Sequence, residues 1–249
     1  MVSIFNIPIS VHLSNISFLR PKNTKQSHQM QDAIDGYLTN PLLDKLIHEE
    51  RIETTAKTNI KIRELMKKYD LPIAINIDEL EKLKQGHLKE TRNFVSKIYM
   101  SLPFEIKNKI NLQDVQQAAS FHDYGKVLIP KPILNKKTKL NEKEFEIMKL
   151  HSEFGYELLK DKGLSDKVLN LIKYHHQNLN KEGYPKIENN FEYGFESQIL
   201  NIADKYSALR EKRSYKNPLG KYEALEIIAK EVNKGLLSQE IFTALIKSV

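Results

Sequence analysis

Residues 111–126 read Asn111-Leu112-Gln113-Asp114-Val115-Gln116-Gln117-Ala118-Ala119-Ser120-Phe121-His122-Asp123-Tyr124-Gly125-Lys126, and their spacing decides the fold. Asn111 with Asp114 looks like a helix N-cap followed by an acidic third position. His122 lies three, four and seven residues after Ala119, Ala118 and Val115, so the imidazole shares their inward helical face. The alanines leave room for helices to approach closely around a small buried ion. Gly125 is the expected terminator of this helix. A buried imidazole or carboxylate is costly unless it is paired or bound to metal.

The same pattern recurs along the chain. His151 follows Ile147 and Met148 and precedes Phe154, and His175 follows Val168, Leu171 and Ile172 at the offsets seen for His122. Asp204 sits one turn after Leu200, among Ile199, Ile202 and Ala203. His87 and His176 complete the set. Taken singly, each is most simply a satisfied core histidine or a capping aspartate. Taken together, five histidines and two aspartates point to a buried metal site. Imidazole nitrogen and carboxylate oxygen without thiolate suit Fe, Mn or Zn, with Fe or Mn placed first. Seven protein ligands exceed what one ion takes, whereas two bridged divalent ions fit and generate a nucleophile for in-line attack on phosphorus. His12, His28 and His48 lack such company and are expected to be surface or packing residues.

Outward from these stretches, few Gly and Pro and long three-and-four-spaced apolar patterns predict an all-α protein. Residues 1–39 are the least regular: Ile7, Ile9, Val11 and Leu13 alternate as a short strand would, and Pro21 to Ser27 is a polar loop. One long helix is expected from Asn40 to about Tyr69, through Leu42, Leu43, Leu46, Ile47, Ile52, Ala56, Ile60 and Leu65, broken by Leu71-Pro72. It serves either as a packing or homodimerisation element or as an ordinary core helix. The boundary near Pro72 to Asn76 divides the chain into an N-terminal segment, 1–76, and a helical domain, 77–249. Within the latter, Asn141 with Glu144 reads as a capping box, Ser165 as an N-cap, and further helices span Gln198 to Leu209 and begin near Lys221 and Ser238.

Composition excludes several classes. With no Cys among 249 residues there is no disulfide, zinc–thiolate or iron–sulfur site, which is compatible with the expected cytoplasmic location. No apolar run is long enough for a membrane span and no secretory leader is recognisable. The net charge of +7 comes from lysines spread along the chain, more simply a solvated surface than a binding patch. No recognition motif for nucleic acid accompanies it, so a nucleic-acid partner is ranked last.

His87, Phe121-His122-Asp123-Tyr124-Gly125-Lys126, His151, His175-His176, Gly183-Tyr184-Pro185 and Ala203-Asp204, in that order, resemble the HD-GYP family of the HD phosphohydrolase superfamily, over about residues 80 to 235. Val127-Leu128-Ile129-Pro130, Ile147-Met148-Lys149-Leu150-His151 and Arg213-Ser214-Tyr215-Lys216 match as well. The resemblance implies an HD-type helical bundle with a di-metal site, acting as a phosphodiesterase of cyclic di-GMP. It implies that His87, His122, Asp123 and Asp204 hold one metal and His151, His175 and His176 the other, with Asp123 bridging. A metal-bridging hydroxide would attack phosphorus in line with the departing 3′ oxygen, giving the linear dinucleotide pGpG and, by a second cut, GMP. Lys126 would contact a phosphate or assist the leaving oxygen, Arg213 and Lys216 would clamp phosphates, and Tyr184 would touch substrate.

The chain departs from the family at several positions. Leu83 stands where some members carry a Glu that supports a third metal. In Gln177-Asn178-Leu179-Asn180-Lys181, which replaces the usual Glu-x-Trp-Asp-Gly, residues Gln177, Leu179 and Lys181 differ. Ser207 replaces the second Asp of Asp-x-x-Asp, and Ser214 replaces a Pro. None removes a proposed ligand, but the departures leave open a phosphohydrolase of another cyclic dinucleotide or nucleotide, or a catalytically weak nucleotide sensor or adaptor.

Overall fold

The computed structural model describes residues 48–188, 190–211 and 217–249. The strand expected near Ile7, the loop at Pro21 and the first part of the helix expected from Asn40 lie outside the described residues, as do Arg213 and Lys216. The described residues are helical, and their only bridge of β type pairs His176 with Tyr184.

The chain between 49 and 68 is two helices rather than one: α1 (Glu49–Thr58) and α2 (Ile60–Lys68). Asn59 breaks them. Its backbone is extended, and its side chain accepts from the amide of Ile62, capping α2. Ile60, expected on the apolar stripe, is 65% exposed, while Ile52, Ala56, Ile62, Leu65 and Met66 are buried in the same core as the rest of the chain. Both helices pack on the long helix Glu142–Leu159. The core-helix alternative therefore describes their buried faces.

Then follow α3 (Ile77–Gln85), α4 (His87–Ser101), α5 (Phe104–Lys107), α6 (Leu112–Phe121), a 3-10 turn (Tyr124–Leu128), α7 (Lys131–Leu134), α8 (Glu142–Leu159), α9 (Asp166–Lys173), α10 (Phe195–Arg210), α11 (Lys221–Asn233) and α12 (Gln239–Ser248). The predicted caps are present: Asn111 accepts from the amides of Gln113 and Asp114, Asn141 and Glu144 form a reciprocal capping box, and Ser165 accepts from Val168. Each such cap satisfies amides that a helix start leaves without partners, typically worth about 1 kcal/mol.

Helix α6 is the centre, packing on α4, α9 and α10, with α8 lying on α9 and on the 3-10 turn. Ala118 and Ala119 are fully buried and let these helices close on one another. The large fully buried side chains include Phe121, Phe154, Tyr174 and Phe242, each of which would cost about 3–5 kcal/mol to truncate if phenylalanine.

One expectation fails at the end of α6. The helix stops at Phe121, before Gly125, and Gly125 has a different task. A Cβ at Gly125 would lie 2.0 Å from the carbonyl oxygen of His151 and 2.4 Å from the amide nitrogen of Gly155. The 3-10 turn thus rests directly on the backbone of α8, and only a residue without a side chain permits that approach. This contact holds the His122-Asp123 corner against the helix that carries His151.

Candidate metal centre

Five helices bring their ends or midpoints to one place. His87 opens α4, His122 and Asp123 leave α6, His151 lies midway along α8, His175 and His176 follow the end of α9, and Asp204 lies midway along α10. All seven side chains meet. Six are buried and His176 is half-buried.

They form two groups, each able to hold a cation. In the first, His87 Nε2 lies 2.9 Å from Asp204 Oδ1 and 3.3 Å from His122 Nε2, and His122 Nε2 is 3.6 Å from Asp204 Oδ1. In the second, His151 Nε2 lies 3.2 Å from His175 Nε2 and 3.1 Å from His176 Nε2. Asp123 stands between them: Oδ2 is 3.4 Å from His87 Nε2 and 3.6 Å from His122 Nε2, while Oδ1 is 3.4 Å from His151 Nε2.

The donor set fits metal because of how the rings are turned. The Nδ1 of His122, His151 and His175 face the carbonyl oxygens of Ala119, Met148 and Ile172 at 3.0, 2.7 and 2.7 Å. A carbonyl only accepts, so Nδ1 carries the proton and each Nε2 presents a lone pair inwards. His87 Nδ1 meets Ser207 Oγ at 3.2 Å and Glu211 Oε2 at 3.5 Å. Ser207, a departure from the family pattern, therefore still orients the first histidine. Leu83 is buried and offers no ligand.

Electrostatics agree. Burial, reinforced by neighbouring imidazoles, pushes His175 down to about 3. Burial pushes His151 down to about 4, and His176 well below its usual value. For His122 burial opposes charge, but Asp123 and Asp204 more than offset it and raise its pKa. Burial works to raise Asp123, yet the Lys126 ammonium, then His122, His87 and His151, hold it well below the usual carboxylate range. Lys126 Nζ lies 2.6 Å from Asp123 Oδ2. Neutral imidazoles and ionised carboxylates are the forms that bind divalent cations.

Tyr184 lies against this centre, its ring tilted on that of His176 at 4.6 Å between centroids. Gln177, a second departure, holds the loop that carries it. It accepts from the amide of Gly183 through Oε1 at 3.1 Å and donates from Nε2 to the carbonyl of Pro185 at 2.5 Å. Asn201 in turn donates to the carbonyls of His175 and Gln177. From sequence Gln177 is marked only as a departure from the family pattern, and Asn201 is not singled out; the position of Gln177 directly after the paired histidines was the available signal. Among the described residues no helix is long and apolar enough to cross a membrane.

Residues 74–239 match the family profile of the HD domain. A cyclic di-GMP phosphodiesterase of Thermotoga maritima is 32% identical over 142 residues, covering 56% of this chain and 38% of that protein. The 3′3′-cGAMP-specific phosphodiesterase 2 of Vibrio cholerae is 37% identical over 106 residues, covering 42% of this chain and 20% of that one. The chain thus spans well under half the length of these curated relatives. Among solved structures, Bd1817, a HDG"Y"P protein from Bdellovibrio bacteriovorus, is alike in fold, with a TM-score of 0.53 and 14% identity over 89% of this chain and 79% of that one.

Proposed function

The chain belongs to the HD domain family, in its HD-GYP branch, and from that premise we propose that it is a metal-dependent phosphodiesterase of cyclic dinucleotides, cyclic di-GMP first among them. The observation that carries this reading is Asp123, whose two oxygens face two separate histidine groups. His87, His122 and Asp204 would hold one divalent ion, His151, His175 and His176 the other, and Asp123 both. Imidazole and carboxylate donors accept Fe, Mn or Zn, and we place Fe or Mn first, with Zn a third option. When bound, the pair supplies Lewis acidity, acidifying water and taking up charge at phosphorus.

The chain's own groups do the rest. The carbonyls of Ala119, Met148 and Ile172 fix the histidine tautomers. Lys126 keeps Asp123 ionised and, half-buried at its edge, stands as proton donor to the departing 3′ oxygen. Water oxygen joins phosphorus and gives up a proton to solvent, the bond to the 3′ oxygen breaks, and that oxygen takes the Lys126 proton, which solvent then restores, leaving the linear dinucleotide pGpG; a second cut gives GMP. Tyr184 orders substrate beside His176, and Arg213 and Lys216 are proposed as further phosphate contacts. A second reading has support too: relatives that are 3′3′-cGAMP-specific, together with the departures at Gln177, Leu179 and Ser207, favour considering a different cyclic dinucleotide. A sensor without turnover would have little use for seven converging ligands.

The test is turnover of cyclic di-GMP and 3′3′-cGAMP by protein loaded anaerobically with Fe(II) or Mn(II), followed by chromatography, with Asp123→Ala alongside. Conversion that Asp123→Ala abolishes supports the reading. No conversion of either nucleotide despite two bound ions per chain rejects it.

A further inference from the structure

Helix α8 carries one large apolar side chain on the wrong side. Ile147, Leu150, Phe154, Leu158 and Leu159 are buried, but Phe145, in the first turn among Glu142, Lys143, Glu144 and Glu146, is 45% exposed. Its surroundings are not those of an isolated surface residue. The Phe145 ring meets Tyr184 edge-on at 6.3 Å between centroids, and Tyr184 in turn lies on His176. Lys149, one turn after Phe145, places Nζ 4.8 Å from the Phe145 centroid and 5.7 Å from that of Tyr184, while pairing with Glu146 at 2.5 Å. An exposed aromatic face with a cation beside it therefore continues directly from the second histidine group.

We propose that Phe145, with Tyr184 and Lys149, forms a purine subsite: one base of a cyclic dinucleotide stacks on the exposed face of Phe145 while its phosphodiester lies at Asp123. This rests on the phosphodiesterase reading above. An aromatic face stacks on any nucleobase, and a cation suits both an anionic nucleotide and the carbonyl edge of a purine. The contact adds affinity for the nucleoside part of the substrate and leaves the bond-breaking groups untouched.

The experiment uses the metal-loaded chain and three proteins: wild type, Phe145→Ala and Phe145→Trp. Steady-state kinetics are taken on cyclic di-GMP, 3′3′-cGAMP and cyclic di-AMP, with inorganic phosphate as a competitive inhibitor that probes the metal centre without a base. Phe145→Ala is expected to raise KM about tenfold, at the lower end of what one base on an aromatic ring contributes, with kcat within about twofold and phosphate inhibition unchanged. Phe145→Trp should retain the wild-type KM. If wild type turns over a cyclic dinucleotide and Phe145→Ala leaves KM unchanged, or weakens phosphate equally, the subsite is wrong and the phosphodiesterase reading stands. If wild type turns over and binds none of the three, both fall.

Discussion

The Nε2 atoms of His151 and His175 face each other at 3.2 Å, and neither has a proton to share, because each Nδ1 already donates to a backbone carbonyl. Two lone pairs at that distance repel unless a cation lies between them. A divalent ion should therefore stabilise the fold, by about 2.7 kcal/mol at a hundredfold excess over Kd. Calorimetry with and without Mn(II) reads the shift. His175→Ala should bind one ion fewer per chain by elemental analysis and lose much of the gain; a full complement in that variant would contradict the second group.

Chelated protein should lose stability on mild acidification. His151 and His175 titrate near 4 and 3 when folded but near 6.5 when unfolded. Between about pH 6.5 and 4 the unfolded chain binds more protons, so stability falls as pH falls, by a few kcal/mol in all. His122, with a raised pKa, works the other way: its contribution is present below about pH 6.5 and fades as pH rises through its folded value. Asp123 and Asp204 add further loss only at lower pH still, below the usual carboxylate range. Melting temperatures of the chelated protein from pH 7.5 to 4 check the sign. A curve flat across that interval would mean the rings are not buried neutral.

Gly125 and Gly155 touch each other, yet should respond in opposite ways to alanine. A Cβ at Gly125 runs into backbone atoms of α8 at 2.0 and 2.4 Å, which cannot move cheaply. Gly125→Ala should cost about 3 kcal/mol or more and disturb metal uptake with it, since His122-Asp123 and His151 are the segments forced apart. A Cβ at Gly155 meets nothing closer than 3.4 Å and gains helix propensity, so Gly155→Ala should be neutral or stabilising by up to about 1 kcal/mol. Denaturant unfolding of both variants decides it.

Those two glycines mark where legibility ends. The helices from Asn111, Asn141 and Ser165 were readable because capping is local chemistry, written in residues three apart. The seven side chains that converge were readable as a group because polar residues on apolar faces need a reason. The split at Asn59 was not, since Ile60 continues the apolar count although its side chain points to solvent. Nor was the early end of α6: Gly125 looks like a helix stop, and only the neighbouring backbone of α8 reveals it as a point of contact. Contacts between segments distant in sequence leave no spacing to read.

Gln177 shows the same limit from the other side, because the family pattern expects a carboxylate there. Its Nε2 donates to Pro185, and a carboxylate cannot. Gln177→Glu should therefore destabilise the loop by about 1–3 kcal/mol at neutral pH, leaving two acceptors opposed in a buried site. Protonation restores a donor, so the deficit relative to wild type should shrink towards pH 4 and grow above it. Paired melts at pH 4.5 and 8 test this. An equal deficit at both would show that shape, not the donor, is what the loop needs.

Lys181 occupies the last position of that same stretch, where the family pattern has Gly, and its φ of +60° explains the pattern. Its amide bonds to the carbonyl of Asn178, and the amide of Glu182 to the Asn178 side chain, so the turn imposes the left-handed backbone whatever residue stands there. For a residue with a Cβ this costs roughly 1–2 kcal/mol, and glycine gives back part of that relief through its freer unfolded chain. Lys181→Gly should thus stabilise the protein by about 0.5–1 kcal/mol, read as a higher denaturant midpoint at constant m. Lys181 is exposed and makes no ion pair among the described residues, so no compensating loss is expected. A lower midpoint would mean that the lysine side chain holds the turn more firmly than its backbone strains it.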